Sequence, residues 1–434
     1  MKSNFWNNKV YIENFILVCL IVFKSTQASV LAIAPETTII VLIYSGWIFY
    51  KRRIKIDQFI LVLVGLYFAL NLFYYISFGS NNFFLSFYIL LKMLYAYITI
   101  KIVRESFFAI YEKLIYFLVL VSLPLFLFQL INYELLFKIV GVLQNNISIL
   151  EYRNDRLANI FIFTLESNGS LTRNSGFAWE PKGFSNFLLI AILINLVSNR
   201  FSINKRLIVF YLAIVTTLST TGFLVAFVIF PIFFVLNTKS KKIVFYFLFF
   251  SALAIYVLSL EIGYEKIKRE IDGRDRYIEL LEDTREFETR SLGRFPSFIL
   301  DFNDFLKRPV FGYGFNREER TQSEYTKLVR VNGVSDILAV YGIVGFSIIF
   351  YFTYKSFSSY LKIYNSRGSY LILSMVGVIY FASALTSHPF WMIFYFLFSI
   401  NLRSYNLKCL YELIIHEKSL NSIKLEFKER PETV

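Results

Sequence analysis

Long apolar runs recur along the chain, separated by short polar breaks. Many approach the ~20 residues that a helix needs to cross a hydrocarbon core of ~30 Å. A break at Ser219-Thr220-Thr221-Gly222 predicts two helices between 207 and 237, with one long helix as the alternative. The pattern predicts an all-α polytopic membrane protein with about twelve transmembrane helices, at roughly 11–31, 36–50, 58–78, 83–100, 114–131, 185–199, 207–220, 222–237, 243–262, 334–354, 369–386 and 390–403.

These runs divide the chain into six predicted regions. Transmembrane helices fill 1–131, 185–262 and 334–403, and a basic tail follows at 404–434. The remaining regions are two large loops, at 132–184 and 263–333. Loops of this length inside a compact protein are usually functional or disordered, and helical patterning argues against disorder here.

The second loop contains the pattern of an amphipathic helix. Its apolar residues recur at helical spacing, and Pro296 and Pro309 suit the first turn and the end of such a helix. The segment from Arg274 to Arg290 has a similar pattern. We expect both helices to lie on the membrane surface or over a cavity. The apolar positions of the first are Phe298, Ile299, Phe302, Phe305 and Leu306.

Lys and Arg predict which side each connection faces. When the connections are assigned alternately to the two sides, the N-terminus, the short inner loops and the tail carry 24 Lys and Arg residues. The short outer loops at 32–35, 79–82 and 386–389 carry none. Because cytoplasmic loops are enriched in Lys and Arg, both termini are predicted to be cytoplasmic and both large loops to face outward.

Composition narrows the class of protein further. The chain is 56% hydrophobic and contains 50 Phe, which exceeds what one soluble core needs. The net charge of +14 is explained mainly by the predicted inner face, so no nucleic-acid partner is implied. With two His and two Cys at unrelated positions, no metal centre is predicted. The tail is predicted to lie on membrane lipids.

The first large loop ends in a polar segment directly before a predicted span. Arg173 can hold a phosphate group with two parallel hydrogen bonds. Gly176 allows a close backbone approach, and Pro181 holds the preceding Glu180 in an extended backbone. A carboxylate fixed there could take a proton from a hydroxyl group. The alternative is an ordinary re-entry loop in which Arg173 and Glu180 are paired or solvated.

The second large loop carries a similar set of candidates. Asp336 lies in the first turn of the next predicted span, where a carboxylate is costly unless it faces a polar cavity. The alternative is a helix N-terminal carboxylate favoured by the helix dipole. Gly312 and Gly314 predict a tight turn after Pro309. Gly342 and Gly345 predict close helix packing.

The order of these motifs resembles the O-antigen polymerase and O-antigen ligase superfamily of the bacterial inner membrane. The shared features are an outer Arg-x-x-Gly-x-x-x-Glu-Pro before a helix, a Gly-Arg with an amphipathic helix, an Arg-Pro-x-x-Gly-x-Gly, and an Asn-x-x-x-x-x-Leu-x-x-Tyr-Gly-x-x-Gly. The resemblance covers the topology from about 10 to 403 and both large loops.

The resemblance implies a lipid-linked glycosyltransferase of the GT-C type, acting at the outer (periplasmic) face without cofactor. Glycan on undecaprenyl pyrophosphate is then both donor and acceptor, and a chain-length regulator and a flippase are expected partners. By motif match, Arg173 and Arg294 bind the pyrophosphate, and Glu180 and Asp336 are candidates for the general base. Weaker candidates for donor or glycan contacts are Trp179, Arg274, Arg276, Arg308, Arg330 and Asn332.

One departure from the family pattern bears on the activity. The ligase branch usually has a His directly before the Asn of the last motif, and this chain has Val331 before Asn332. A polymerase is therefore favoured over a ligase. A flippase is a further alternative, but it should place charges within its spans, and here the outer loops hold more of them. A non-catalytic receptor or assembly partner is a third alternative.

Overall fold

The structure, a computed structural model, describes residues 2–28, 30–78, 83–147, 157–166, 172–238, 252, 289–321 and 327–400. Helices dominate this part of the chain, which confirms the predicted all-α class. They are α1 Lys2–Phe23, α2 Val30–Ile33, α3 Glu36–Lys51, α4 Gln58–Phe78, α5 Phe83–Val103, α6 Ser106–Ile131, α7 Tyr133–Ile147, α8 Pro181–Ser198, α9 Lys205–Thr217, α10 Thr220–Leu224, α11 Phe230–Asn237, α12 Arg294–Lys307, α13 Gly333–Ile363, α14 Ser369–Ala382 and α15 Pro389–Met392.

Short irregular elements complete the described chain. A π-helical turn at Val225–Ile229 joins α10 to α11, and 3-10 turns lie at Arg317–Glu319, Ile393–Tyr395 and Leu397–Ser399. Strand β1 Leu157–Asn159 pairs antiparallel with β2 Thr164–Glu166 in the first large loop. In the second large loop, β3 Thr289–Ser291 pairs parallel with β4 Lys327–Val329.

Six helical stretches of the described chain are long and apolar enough to cross a membrane. By length and composition they support the predicted polytopic membrane protein. The number twelve stays a prediction, because α3, α9 and α14 are shorter and 243–262 lies outside the described residues apart from 252. The six stretches are Gln58–Phe78, Phe83–Val103, Ser106–Ile131, Pro181–Ser198, Thr220–Asn237 and Gly333–Ile363.

Two predictions about helix ends have clear outcomes. The predicted break between 207 and 237 is present, because Leu218 adopts a left-handed conformation with φ 46° and Ser219 caps the next helix. The single helix predicted at 390–403 is wrong within the described residues. There the α-helix stops at Met392, and 3-10 turns follow with extended backbone at Ile400.

Helix α8 lies at the centre of the bundle and α4 at its edge. In the most apolar stretch of α8, 83% of the residues are buried, whereas 11% are buried in α4. An apolar helix that leaves its side chains exposed in the protein is suited to contact lipid. The bundle has two ends. We call the outer end the one that holds Pro181 of α8, Gly333 of α13 and Ala382 of α14, following the predicted topology.

Helix α12 is amphipathic, and it buries its charged face while exposing its apolar face. Its buried residues include Asp301 and Asp304, while Phe295, Phe302 and Leu306 are exposed. The apolar face recognised in the sequence therefore points outward, as expected of a helix that rests on a lipid surface.

Candidate functional site

The end of the first large loop is tied across the outer end of the bundle. The Asn174 amide donates to Ser122 Oγ at 3.3 Å in α6 and to Thr216 Oγ1 at 3.0 Å in α9. Further along, the backbone N–H of Trp179 donates to the Thr26 carbonyl at 3.1 Å, just after α1. These bonds fix the loop that carries Glu180.

Gly176 occupies the one tight turn of this segment. Its φ is +51°, and a Cβ atom built there would lie 2.7 Å from the ring of Phe184. The close approach that the sequence predicts at Gly176 is thus an approach to an aromatic ring of α8. A side chain at this position would push the loop away from the start of α8.

The two large loops meet at the carbonyl oxygen of Ala382, the last residue of α14. Lys182 Nζ of the first loop donates to it at 3.0 Å, and Arg294 Nε of the second donates at 3.2 Å. Glu180 Oε1 lies 3.0 Å from the same Lys182 ammonium. The backbone of Glu180 is extended before Pro181, as predicted. Two cations and a carboxylate from distant parts of the chain are thereby grouped at the outer end.

Arg294 is held in place through its own backbone. It is the first residue of α12, and its carbonyl accepts a bond of 3.4 Å from the Asn332 amide. The Asn332 side-chain oxygen accepts from the backbone N–H groups of Val334 and Ser335, each at 3.1 Å, and so caps α13. Asn332 is fully buried. These contacts give Asn332, a predicted glycan contact, a positioning role toward Arg294.

Two buried polar side chains flank this grouping without a hydrogen-bond partner in the described chain. Asn186 lies one turn after Lys182 on α8, is 1% exposed, and has both amide atoms unpartnered. Ser383 directly follows Ala382, and its hydroxyl is also unpartnered. Buried polar groups normally bind a protein atom or a water molecule, so these positions suit a polar ligand or bound water.

A buried ion network lies behind this surface, on the inward face of α12. Arg320 contacts Asp301 at 2.7 Å and Asp336 at 3.0 Å. Arg330 contacts Asp301 and Asp304, each at 2.6 Å. The guanidinium of Arg330 is therefore committed to two carboxylates, which favours a structural role over the predicted substrate contact. Asp336 keeps 34% of its side chain exposed.

Asp304 is held as an anion in this network. Burial acts to raise its pKa, but hydrogen bonds from Thr321 and Arg330 outweigh burial and hold the pKa of Asp304 below its ordinary value. Thr321 donates from its hydroxyl at 2.6 Å and from its backbone N–H at 3.1 Å. Asp304 therefore stays charged at neutral pH, whereas burial raises the pKa of the neighbouring Asp301.

Helix α13 is broken at Gly342, where φ is +64° and ψ is −168°. The close approach predicted at Gly342 is present, but it occurs at a break in the helix and against the backbone of the 309–314 segment. A Cβ atom at this position would overlap the carbonyl oxygen of Val310. The break frees backbone groups on both sides, and these need new partners in a water-poor environment.

The segment 309–314 supplies those partners. The N–H groups of Tyr313 and Gly314 donate to the carbonyls of Ala339 and Val340 at 2.9 and 2.8 Å. In return, Ile343 donates to the Pro309 carbonyl at 2.8 Å. The predicted turn is present, with φ of +68° at Gly312 and +61° at Gly314. The Arg-Pro-x-x-Gly-x-Gly motif thus completes the hydrogen bonding of a broken helix.

The remaining predicted arginines do not join one group in the described chain. The guanidinium of Arg308 lies over the rings of Phe78 and Tyr313, at 4.2 and 5.3 Å from their centroids. Arg173 is half-buried, and no described contact joins it to Arg294. Arg274 and Arg276 lie outside the described residues.

Several residues of the site escaped sequence reasoning. Lys182 lies in the same motif as Glu180, and its position directly after Pro181 could have marked it as a site residue. Asp301 and Asp304 share one face of α12 at a spacing of three residues, opposite the apolar positions. Arg320 gave no signal, because nothing distinguishes it from the other arginines of a loop rich in both charges.

Comparison with known protein families finds a match that includes the second large loop. Residues 207–350 match the family model described as O-antigen ligase. The resemblance to the O-antigen polymerase and ligase superfamily is confirmed. The match runs from α9 into α13 and includes Arg294 and Asp336, whereas Arg173, Glu180 and Lys182 precede it. No curated protein matches the chain. The superfamily covers glycosyltransferase-like membrane enzymes that act on lipid-linked glycans, and it includes both ligases and polymerases.

Proposed function

We propose that the protein is a polysaccharide polymerase of the bacterial inner membrane. It transfers a growing glycan from undecaprenyl pyrophosphate to the terminal sugar of another lipid-linked repeat unit at the periplasmic face. The convergence of Lys182 and Arg294 on the Ala382 carbonyl carries this proposal, because it brings cations of both large loops to one place. A pyrophosphate leaving group needs such a place.

The reaction follows from the charges. A sugar hydroxyl attacks the anomeric carbon of the donor glycan, and the bond from that carbon to the pyrophosphate oxygen breaks. Negative charge grows on the pyrophosphate, and Arg294 and Lys182 stabilise it, with Arg173 as a further candidate. Guanidinium groups suit this task because they bind two phosphate oxygens at once.

The hydroxyl proton needs an acceptor. Glu180 is the better placed of the two candidates, because its carboxylate lies 3.0 Å from Lys182 and 43% of its side chain is exposed. Asp336 is the second candidate, and it forms an ion pair with Arg320 at 3.0 Å. The unpartnered Asn186 and Ser383 are suited to contact glycan hydroxyls or bound water, and exposed Trp179 offers an aromatic face to a sugar ring.

A ligase that moves finished glycan to lipid-A core or protein is the second candidate. It is favoured by the description of the matching family as O-antigen ligase. Against it, Val331 stands where the ligase branch usually has a His. In the structure the only histidine of the described chain, His388, instead contacts Gln27 at 2.9 Å, before α2.

Deletion of the gene separates these functions. Single-repeat glycan on the acceptor indicates a polymerase, full-length chains left on the lipid carrier indicate a ligase, and repeat units trapped inside the cell indicate a flippase. Normal surface polysaccharide after deletion would contradict all three.

The site is then tested by complementing the deletion with Arg294→Ala. We expect chain growth to fall by a factor of 100 or more, on the order of the ~3 kcal/mol that one donor to a developing oxyanion contributes. Arg367→Ala is the matched control, since Arg367 is exposed at the opposite end of the bundle. Full-length polymer from a normally expressed Arg294→Ala protein would remove Arg294 from the site.

A further inference from the structure

A second group of positive charges lies beside the site already described, between α1, α3 and α5. Lys92 is the tenth residue of the 21-residue helix α5, so its Cα lies about 14 Å along the helix from the outer end. Its ammonium lies over the Tyr88 ring, 4.3 Å from the centroid. A lysine in the middle of an apolar span is costly, and such residues generally serve a function.

Lys24 faces the same place from the end of α1. Only 2% of the residue is exposed. Its ammonium donates to the Ala34 carbonyl at 2.9 Å and to Thr37 Oγ1 at 2.6 Å. A lysine that reached the membrane interface would be exposed, so Lys24 is a buried cation.

Helix α3 connects the two lysines. Thr37, which contacts Lys24, is followed by Thr38, whose hydroxyl lies 3.1 Å from that of Tyr88. Tyr88 carries Lys92 on its ring. The partners of both ammonium groups are neutral, and no described carboxylate forms an ion pair with either lysine. Glu36, exposed in the first turn of α3, acts on Lys24 through its charge but forms no described ion pair with it.

His388 and Gln27 form the outer rim of this group. Their side-chain nitrogens are 2.9 Å apart, and Gln27 is exposed. Burial lowers the pKa of His388 to about 3, and the charges of Lys92 and Lys24 act in the same direction. His388 is therefore neutral at physiological pH. Two residues later, the backbone N–H of Phe390 donates to Ser25 Oγ at 2.9 Å, so this turn lies beside Lys24.

The rim adjoins the first site. The Thr26 carbonyl, next to Gln27, accepts the backbone N–H of Trp179 at 3.1 Å. Three residues after Trp179, Lys182 donates to the Ala382 carbonyl that Arg294 also contacts. The second group of cations thus opens toward the same loop from its other side.

Lys24 is buried and Lys92 is partly buried within an apolar helix, and their neutral partners leave an excess of positive charge that an anion would compensate. We propose that Lys24 and Lys92, with Gln27 and His388 at the rim, form a second anion site that holds a phosphate group of a lipid-linked substrate. The ammonium groups contribute point charges, and the neutral His388 and Gln27 contribute hydrogen bonds to phosphate oxygens.

This inference rests on the proposed function and assigns the second site to the acceptor. A polymerase handles two lipid-linked chains at once, and each carries pyrophosphate. Arg294 and Lys182 would hold the donor, and Lys24 and Lys92 the acceptor. The Trp179 loop between them would then face both sugars.

The test counts bound lipids. The full chain is reconstituted in nanodiscs, undecaprenyl pyrophosphate is titrated in, and bound molecules are counted by native mass spectrometry. We expect two per protein for the wild type and one for Lys92→Met, whose second-site affinity falls at least tenfold. Lys92→Arg keeps the charge and should still bind two. Lys113→Met is the matched control, because Lys113 also lies over a tyrosine ring, that of Tyr11 at 5.9 Å, in a predicted inner segment.

The outcomes separate this inference from the proposed function. If Lys92→Met still binds two molecules, or if the wild type binds one that only Arg294→Ala removes, the second site is wrong while the donor site stands. If Arg294→Ala binds two while Lys92→Met binds one, the second site stands and the donor assignment fails. Displacement of the second molecule by an equal amount of phosphatidylglycerol would overturn its assignment to substrate. Because Lys92 makes no described hydrogen bond, Lys92→Met should fold, and its thermal unfolding provides the check.

Discussion

Two groups of cations, the arginines behind α12 and the lysines between α1, α3 and α5, differ in what faces them. Arg320 and Arg330 each contact two carboxylates closely. Both arginines and the carboxylates of Asp301 and Asp304 are almost completely buried, whereas Asp336 is partly exposed. Lys24 and Lys92 face a carbonyl, a hydroxyl and an aromatic ring. The first group is neutralised by the protein itself, and the second is not.

The difference indicates which cations stabilise the fold and which await a ligand. Removing a buried cation that has carboxylate partners strongly destabilises the fold, because the carboxylates are left buried as unpaired charges. A buried cation with neutral partners costs stability while it is present, and function is the usual reason for such a cost. The contrast therefore appears in the stability of variants at the two groups.

Arg330→Met should cause the largest loss of stability. It leaves Asp301 and Asp304 without one of their partners, at a cost of about 3–5 kcal/mol. Thermal unfolding of the detergent-purified protein, followed by size-exclusion chromatography, measures the effect. Lys307→Met is the control: Lys307 also approaches Asp304, at 3.8 Å, but its side chain is 60% exposed, so we expect less than about 1 kcal/mol. Equal losses for both variants would contradict a buried network.

Gly342→Ala should come second. An alanine must adopt the φ of +64° and would overlap the Val310 carbonyl, so we expect a loss of about 1–3 kcal/mol or more. Gly377→Ala in α14 is the matched control, because nothing lies within 4 Å of its added Cβ. Helix propensity then predicts a gain of up to about 1 kcal/mol for the control. The same unfolding assay compares them, and a Gly342→Ala protein as stable as the wild type would mean that α13 is continuous.

Lys92→Met should change stability in the opposite direction. Removing a partly buried charge that forms no described ion pair, in the middle of an apolar helix, is expected to raise the free energy of unfolding by about 0.5–2 kcal/mol while chain growth is lost. A higher unfolding temperature together with short surface glycan would support the contrast. Marked destabilisation would place Lys92 with Arg330 among the structural cations.

Acid should weaken the ion network over a narrow range of pH. Because the folded pKa of Asp304 is lowered, its contribution is complete above the unfolded value of about 4 and is lost as pH falls through the folded pKa. We expect the unfolding temperature to fall below pH 4 by a smaller amount in Asp304→Asn than in the wild type. Identical profiles for the two proteins would show that Asp304 does not titrate differently in the folded state.

The sequence predicted the fold where the physical signal was local. Runs of apolar residues located α3, α4, α5, α8 and α14 to within four residues, and Ser219 marked the break between α9 and α10. Helices α1, α6 and α13 each have an end eight or nine residues from the predicted one. The helix predicted after Pro389 failed because aromatic residues such as Trp391 and Phe394 are as apolar in short turns as in a span. Hydropathy measures where a segment can be buried, and it does not measure how its backbone bonds.

The candidate site was predictable only in part. Arg294, Glu180 and the glycine turn were recognised because their motifs are compact in sequence. The meeting of Lys182 with Arg294 joins residues more than a hundred positions apart, and it depends on one carbonyl at the end of α14. The roles of Arg330 and Arg320 depend on which carboxylates α12 turns inward.

The outward orientation of the apolar face of α12 has a consequence for depth. With Phe302 and Leu306 directed outward, α12 can rest in the boundary between headgroups and acyl chains. Arg294 begins the same helix, so we expect its guanidinium to stay level with the phosphates of the carrier lipid. Each new glycosidic bond would then form at one fixed height above the hydrocarbon, and polymer already made would extend away from the membrane without altering the geometry of the next transfer.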